Sequence, residues 1–110
     1  MTDLELNKAV TEAYKVPEYA YVTTTNGVGD FTLNSTPLYQ DHSKLFELCV
    51  EHGISIAMSK QTFVYCMFYK KQKSLFSLQE ERFEDHTSKL EATCIAMLKA
   101  LATKAGIEYD

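Results

Sequence analysis

The sequence predicts an α+β protein, an α-β-α sandwich in which a mainly antiparallel sheet of about three to five strands is covered by three helices. Three observations predict it. Thr62 to Lys71 reads as a strand that is apolar on both faces, with Phe63, Tyr65, Met67 and Tyr69 alternating with Val64, Cys66 and Phe68. Successive strand side chains face opposite sides of a sheet, so such a strand belongs in the middle, with helices above and below. Its apolar content alone would suit a helix, but its short length and its aromatic enrichment favour a strand. Apolar residues also recur at helical spacing in three other stretches, each opened by a capping residue. Finally, Asn26-Gly27 is a hairpin signal, because both central residues of a type I′ turn take positive φ. The 110 residues form one domain, 1–110.

Thr2 and Glu5 make a capping box, and Leu6, Ala9, Val10, Ala13 and Tyr14 follow at helical spacing, so a first helix runs to about Lys15 and stops before Pro17. Tyr19 to Thr25 reads as a strand and Val28 to Leu33 as its return, with Asn34 to Tyr39 as loop. Asp41 or Ser43 caps a second helix. Its inner face is Leu45, Phe46, Cys49 and Val50, and Gly53 ends it. Ile54, Ile56 and Met58 alternate as a half-buried strand that turns at Ser59 to Gln61 into the central strand. Ser74 to Ser77 adds a short further strand. Ser88 and Glu91 form a second capping box, opening a helix whose apolar stripe of Leu90, Cys94, Met97, Leu98 and Leu101 is widened by Ala92, Ile95, Ala96 and Ala102. Gly106 ends that helix, and the tail from Ile107 is expected to fray.

Composition narrows the function classes. Apolar residues make up 45% and charged residues 24%, an ordinary soluble balance, and the net charge of −4 argues against a DNA-binding protein. No signal peptide opens the chain and no apolar run reaches transmembrane length, so a cytoplasmic protein without membrane contact is expected. Cys49, Cys66 and Cys94 lie in apolar periodic segments and read as buried, reduced thiols.

Several constellations bear on chemistry. Cys49 and His52 share a helix face, but no second pair stands at ligand spacing, and neither catalysis nor a metal is expected there. Glu80, Glu81, Glu84 and Asp85 read as a solvated segment before the last helix. The Gly27-Val28-Gly29 run precedes a strand rather than a helix, so it is no dinucleotide fingerprint. Lys60, Lys70, Lys71 and Lys73 bracket the central hairpin, with Tyr65 and Tyr69 between them and Tyr39 ahead of the second helix. Lysines supply point charges for phosphates and tyrosines stack on bases. The same lysines also serve as solubilising charges at an exposed strand end, and Tyr65 serves equally as core.

The chain resembles a family of small phage proteins, the phage ABA sandwich domain. The residues concerned are Leu4 to Val10, Pro17-Glu18-Tyr19, the P-x-Y-x-D element Pro37 to Asp41, the apolar hairpin and Glu91 to Ala100. This sequence has no tryptophan where the family is expected to carry it, with Phe46 and Phe63 in its place. The resemblance covers most of the chain through short motifs, none of them catalytic. It implies helices on both faces of a sheet. Small phage proteins with similar folds include oligomeric sponges that sequester nucleotide immune signals, so the resemblance implies a homo-oligomer in an infected bacterial host. Such an oligomer would bind a cyclic or ADP-ribose-type nucleotide without catalysis or cofactor. The candidate ligand residues are Tyr39, Lys60, Tyr65, Tyr69, Lys70 and Lys71. The alternative is a protein that inhibits or modulates a host protein through the apolar face of its last helix, whose width also suggests self-association.

Overall fold

The computed structural model describes residues 2–19, 22–23, 30–31, 36–70 and 75–109. Helix α1 (Asp3–Ala13) begins at the predicted capping box. Glu5 N donates to Thr2 Oγ1 at 3.2 Å, and Thr2 N donates back to Glu5 Oε1 at 3.4 Å. Pro17 then opens a 3-10 turn, Pro17–Tyr19, which takes Tyr19 out of the predicted strand. Proline's fixed φ suits the first position of such a turn. Strands β1 (Val22–Thr23) and β2 (Asp30–Phe31) pair antiparallel, with Val22 opposite Phe31. The Asn26-Gly27 turn expected between them lies outside the described residues.

A second 3-10 turn, Leu38–Gln40, falls within the expected loop and leads into α2 (His42–Glu51). Asp41 caps this helix by accepting Lys44 N at 3.1 Å. Its buried face is Leu45, Leu48 and Cys49; Leu45 and Cys49 belong to the predicted stripe, whereas Phe46 and Val50 are exposed and Leu48 takes their place. Both sets of residues have helical spacing, and spacing alone does not choose between them.

Strands β3 (Ser55–Met58), β4 (Phe63–Lys70) and β5 (Leu75–Arg82) form an antiparallel sheet in that order, with β4 central as predicted. Met67 lies opposite Ser55 and Leu78, Tyr65 opposite Ala57 and Glu80, and Tyr69 opposite Phe76. β5 extends through Glu80 and Glu81, which the sequence placed in a solvated segment. These polar residues stay in the ladder because β4 offers eight paired positions and because Glu81 finds cationic partners. Helix α3 (Lys89–Lys104) follows the Ser88 cap.

The α+β class, the three helices and the three-stranded antiparallel sheet agree with the sequence reading. The layering does not. α3 packs on β4 and β5, and α1 and α2 pack on α3. Val64, Cys66 and Phe68 are buried beneath α3, whereas Tyr69, Phe76 and Leu78 on the other face are 51%, 65% and 50% exposed. Among the described residues no helix covers that second face. α3 is therefore the central helix rather than a flanking one. Its wide apolar circumference, from Ala92 to Ala102, is consumed inside the molecule, and only Leu90 stays exposed. The α3 residues on which self-association and a host-protein contact were expected are, Leu90 apart, buried within the chain.

All three helices end in the same way. Val16 N donates to Thr11 O at 2.9 Å, Ile54 N to Cys49 O at 2.8 Å and Ile107 N to Ala102 O at 2.9 Å. These are Schellman closures, each followed by an apolar residue folding back. The residue before each is in the left-handed region: Lys15 (φ 58°), Gly53 (φ 70°) and Gly106 (φ 80°). Contrary to a frayed tail, Ile107 and Tyr109 pack against the core, and the Tyr109 hydroxyl donates to Gln79 Oε1 on β5.

Candidate functional site

The uncovered sheet face is the first candidate. β4 supplies Phe63, Tyr65, Met67 and Tyr69, and β5 supplies Phe76 and Leu78, because alternation sends these residues to one side. The rings are ordered in pairs. Phe63 and Tyr65 meet edge-on with centroids 4.7 Å apart, and Tyr69 lies 5.3 Å from Phe76 across the strands. Glu80 and Arg82 share this face at one end, where Arg82 is paired with Glu84 at 3.1 Å.

The five predicted ligand residues that are described, Tyr39, Lys60, Tyr65, Tyr69 and Lys70, do not converge. Tyr65 and Tyr69 share the bare face. Lys60 sits in the Ser59–Thr62 turn, organised by Ser59 Oγ accepting from Thr62 N and Phe63 N. Lys70 is at the far end of β4, so the length of the strand, eight residues or roughly 25 Å, separates the two cations. Lys70 also alternates onto the helix-covered side. Lys71 lies outside the described residues. Tyr39 is on the helical side of the molecule. Its N–H donates to Asn7 Oδ1 at 2.9 Å, and its ring lines a shallow cavity of about 220 Å³ beside Ser88, Glu91 and Cys94 at the start of α3. Thr87 bonds, with help from His86, hold the Glu91 carboxyl below its usual range, so that cavity carries negative charge.

Cys49 is buried, and burial pushes its thiol up to about 12. At neutral pH it carries its proton, which removes the thiolate that a nucleophile or metal ligand requires. Its expected partner His52 caps the end of α2 and packs edge-on against Tyr14, with centroids 4.7 Å apart. Cys66 and Cys94 are likewise buried and free, raised by burial to about 12 and about 11. Among the described residues no group of three or more His, Cys, Asp and Glu side chains is placed to hold a metal ion. No helix among them is long and apolar enough to cross a membrane.

Two features escaped the sequence reading. His86, which stood alone in the sequence, lies between two carboxylates. Its Nε2 is 2.9 Å from Glu81 Oε1 and its Nδ1 3.4 Å from Glu91 Oε1. Lys99 donates to Glu81 Oε2 at 3.0 Å. This network ties the end of β5 to the start of α3. The second feature is a groove of about 530 Å³ where the three helices end, lined by Ala13, Tyr14, Lys15, His52, Lys104 and Ala105. A signal for it was present in the sequence: Lys15-Val16, Gly53-Ile54 and Gly106-Ile107 are three equivalent helix ends, and only the first has a lysine where the others have glycine.

No protein-family description matches the chain, and neither a curated protein nor a solved structure does.

Proposed function

We propose that the protein is a non-catalytic binding protein whose working surface is the bare face of the β3–β4–β5 sheet, and that a second copy of the chain covers this face. The observation that supports it is the gathering of the half-buried Phe63, Tyr65 and Met67 with the exposed Tyr69, Phe76 and Leu78 on one side of a sheet whose other side is packed under α3. Contiguous exposed apolar surface of this kind marks interfaces. A self-complementary patch closes by two-fold symmetry, which stacks β4 on its copy. Sedimentation equilibrium tests the reading. The wild-type chain is expected at twice its 12.5 kDa mass at about 100 μM, a concentration that populates even a weak dimer. Replacing Phe76 with Glu and Leu78 with Lys together should return it to the monomer. A wild-type chain that stays monomeric there overturns it.

A second reading, sequestration of an anionic nucleotide such as a cyclic dinucleotide or a cyclic ADP-ribose, is favoured by the ring pairs on the same face. Base stacking on one aromatic ring contributes ~1–3 kcal/mol. Antiparallel stacking of two sheets would place the Lys60 turn of each copy at opposite ends of the shared face, beside the Tyr69–Phe76 pair of the other. Calorimetry with those nucleotides on wild-type and Tyr69→Ser protein tests this reading. Binding that is lost in the variant supports it, and the absence of binding tighter than about 10 μM removes it.

A further inference from the structure

We propose that the groove where the three helices end is a binding site for a small phosphate-bearing anion, held by Lys15, His52 and Lys104. Its volume of about 530 Å³ falls among those of small-molecule sites, roughly 300–1,000 Å³. Its lining includes two lysines and a histidine and no carboxylate, in a chain whose net charge is −4. No ion pair among the described residues engages Lys15 or Lys104.

Helix C-termini ordinarily repel anions, because their last carbonyls are unpaired. Here several of those carbonyls are occupied. The Schellman N–H groups take Thr11, Cys49 and Ala102, the Tyr14 hydroxyl donates to Leu101 O at 2.5 Å, and Lys104 Nζ donates to His52 O. Lys104 Nζ also lies over the Phe68 ring, 5.5 Å from its centroid, and an ammonium has three donors, of which the His52 carbonyl takes one. Offsetting the helix dipole accounts for a lysine such as Lys104. It does not account for Lys15, which is the only non-glycine residue with positive φ among the described residues. The two equivalent positions are glycine, and glycine at 15 would relieve the backbone. Retaining a lysine in a strained conformation at the lip of a cationic groove is the pattern expected of a residue kept for its side chain. The edge-on Tyr14–His52 pair adds a ring surface beside the charges.

The full chain is titrated with inorganic pyrophosphate and, separately, with ADP, following the His52 ring signals by NMR. A saturable shift is expected with a Kd below about 1 mM. In Lys15→Gly the affinity should fall at least about tenfold while the unfolding midpoint rises, a combination that a purely structural lysine does not produce. Lys104→Gln should weaken binding as well. The Phe76→Glu and Leu78→Lys protein should bind as the wild type does, which separates this site from the sheet face. ADP binding tighter than pyrophosphate assigns the ligand to nucleotides, and equal binding assigns it to the phosphate chain alone. The absence of a saturable shift, or an unchanged Kd in Lys15→Gly, overturns the proposal.

Discussion

Lys15, Gly53 and Gly106 hold one backbone position at three helix ends, so they form an internal comparison. A side chain in the left-handed region costs about 1–2 kcal/mol. Lys15→Gly is therefore expected to stabilise the protein by about 1 kcal/mol, and Gly53→Ala and Gly106→Ala to destabilise it by about as much, as read by urea unfolding. The two glycine variants should match closely. A Cβ at Gly53 would meet only Lys104 Nζ at 3.9 Å, and one at Gly106 nothing within 4 Å, so the backbone alone decides. Asn7 is the residue on which the α1 region depends. It is fully buried, donates to Tyr19 O at 3.0 Å and accepts Tyr39 N at 2.9 Å, joining the Pro17–Tyr19 and Leu38–Gln40 turns to one helix. Asn7→Ala should cost about 2 kcal/mol by the same measurement, since two buried partners lose their bonds at once. The thiols set the alkaline behaviour. Cys49 and Cys66 rise from 9.0 to about 12 on folding, and Tyr14 from 10.0 to about 12, chiefly through burial. Between those values the unfolded chain releases protons that the folded chain keeps. Stability is full below about pH 9 and falls as the pH climbs toward 12. A flat urea midpoint from pH 8 to 11 would contradict this.

At the scale of elements, α3 is the test of packing. Ala92, Ala96 and Ala100 recur every fourth residue and are fully buried, so the helix has no room for larger side chains there. Ala96→Leu should cost about 1–3 kcal/mol by overpacking, measured as a lower thermal midpoint. The helices, their caps and the central strand were legible because each is specified locally: Thr2 with Glu5, Asp41 with Lys44 N, and Ser88 with Glu91 N are contacts between residues three apart. What covers what was not legible. The apolar breadth of α3 marks burial on several sides, and periodicity alone does not distinguish a core helix from an interface helix. Phe46 and Val50 misled for the same reason, since two helical stripes of equal quality lie side by side on α2. The polar end of β5 needed His86 and Lys99 as partners, 5 and 18 residues away, a distance that spacing rules do not reach. The candidate ligand residues were proposed from closeness in sequence, and strand length separated Lys60 from Lys70.

For the whole molecule, the open sheet face links stability to association. If two copies close over it, each stabilises the other by mass action, and the thermal midpoint rises with protein concentration. We expect that dependence in the wild type and its loss in the Phe76→Glu and Leu78→Lys protein, followed by calorimetric scans over about a hundredfold range of concentration. The cationic corner lies at the ends of the helices rather than on the sheet, so its occupancy should leave that concentration dependence intact.

The position of α3 also orders events during synthesis. The chain leaves the ribosome N-terminus first, and the sheet is a meander whose neighbours are consecutive, so β3, β4 and β5 can pair early with little loop to close. Nothing can yet cover them. The inner faces of the sheet, α1 and α2 all await the one helix that is translated after them, and the Tyr14–Leu101 bond joins residues 87 apart. A nascent chain paused before Lys89 would display both faces of its sheet, not one, and would be a substrate for chaperones at that length and not once α3 has docked.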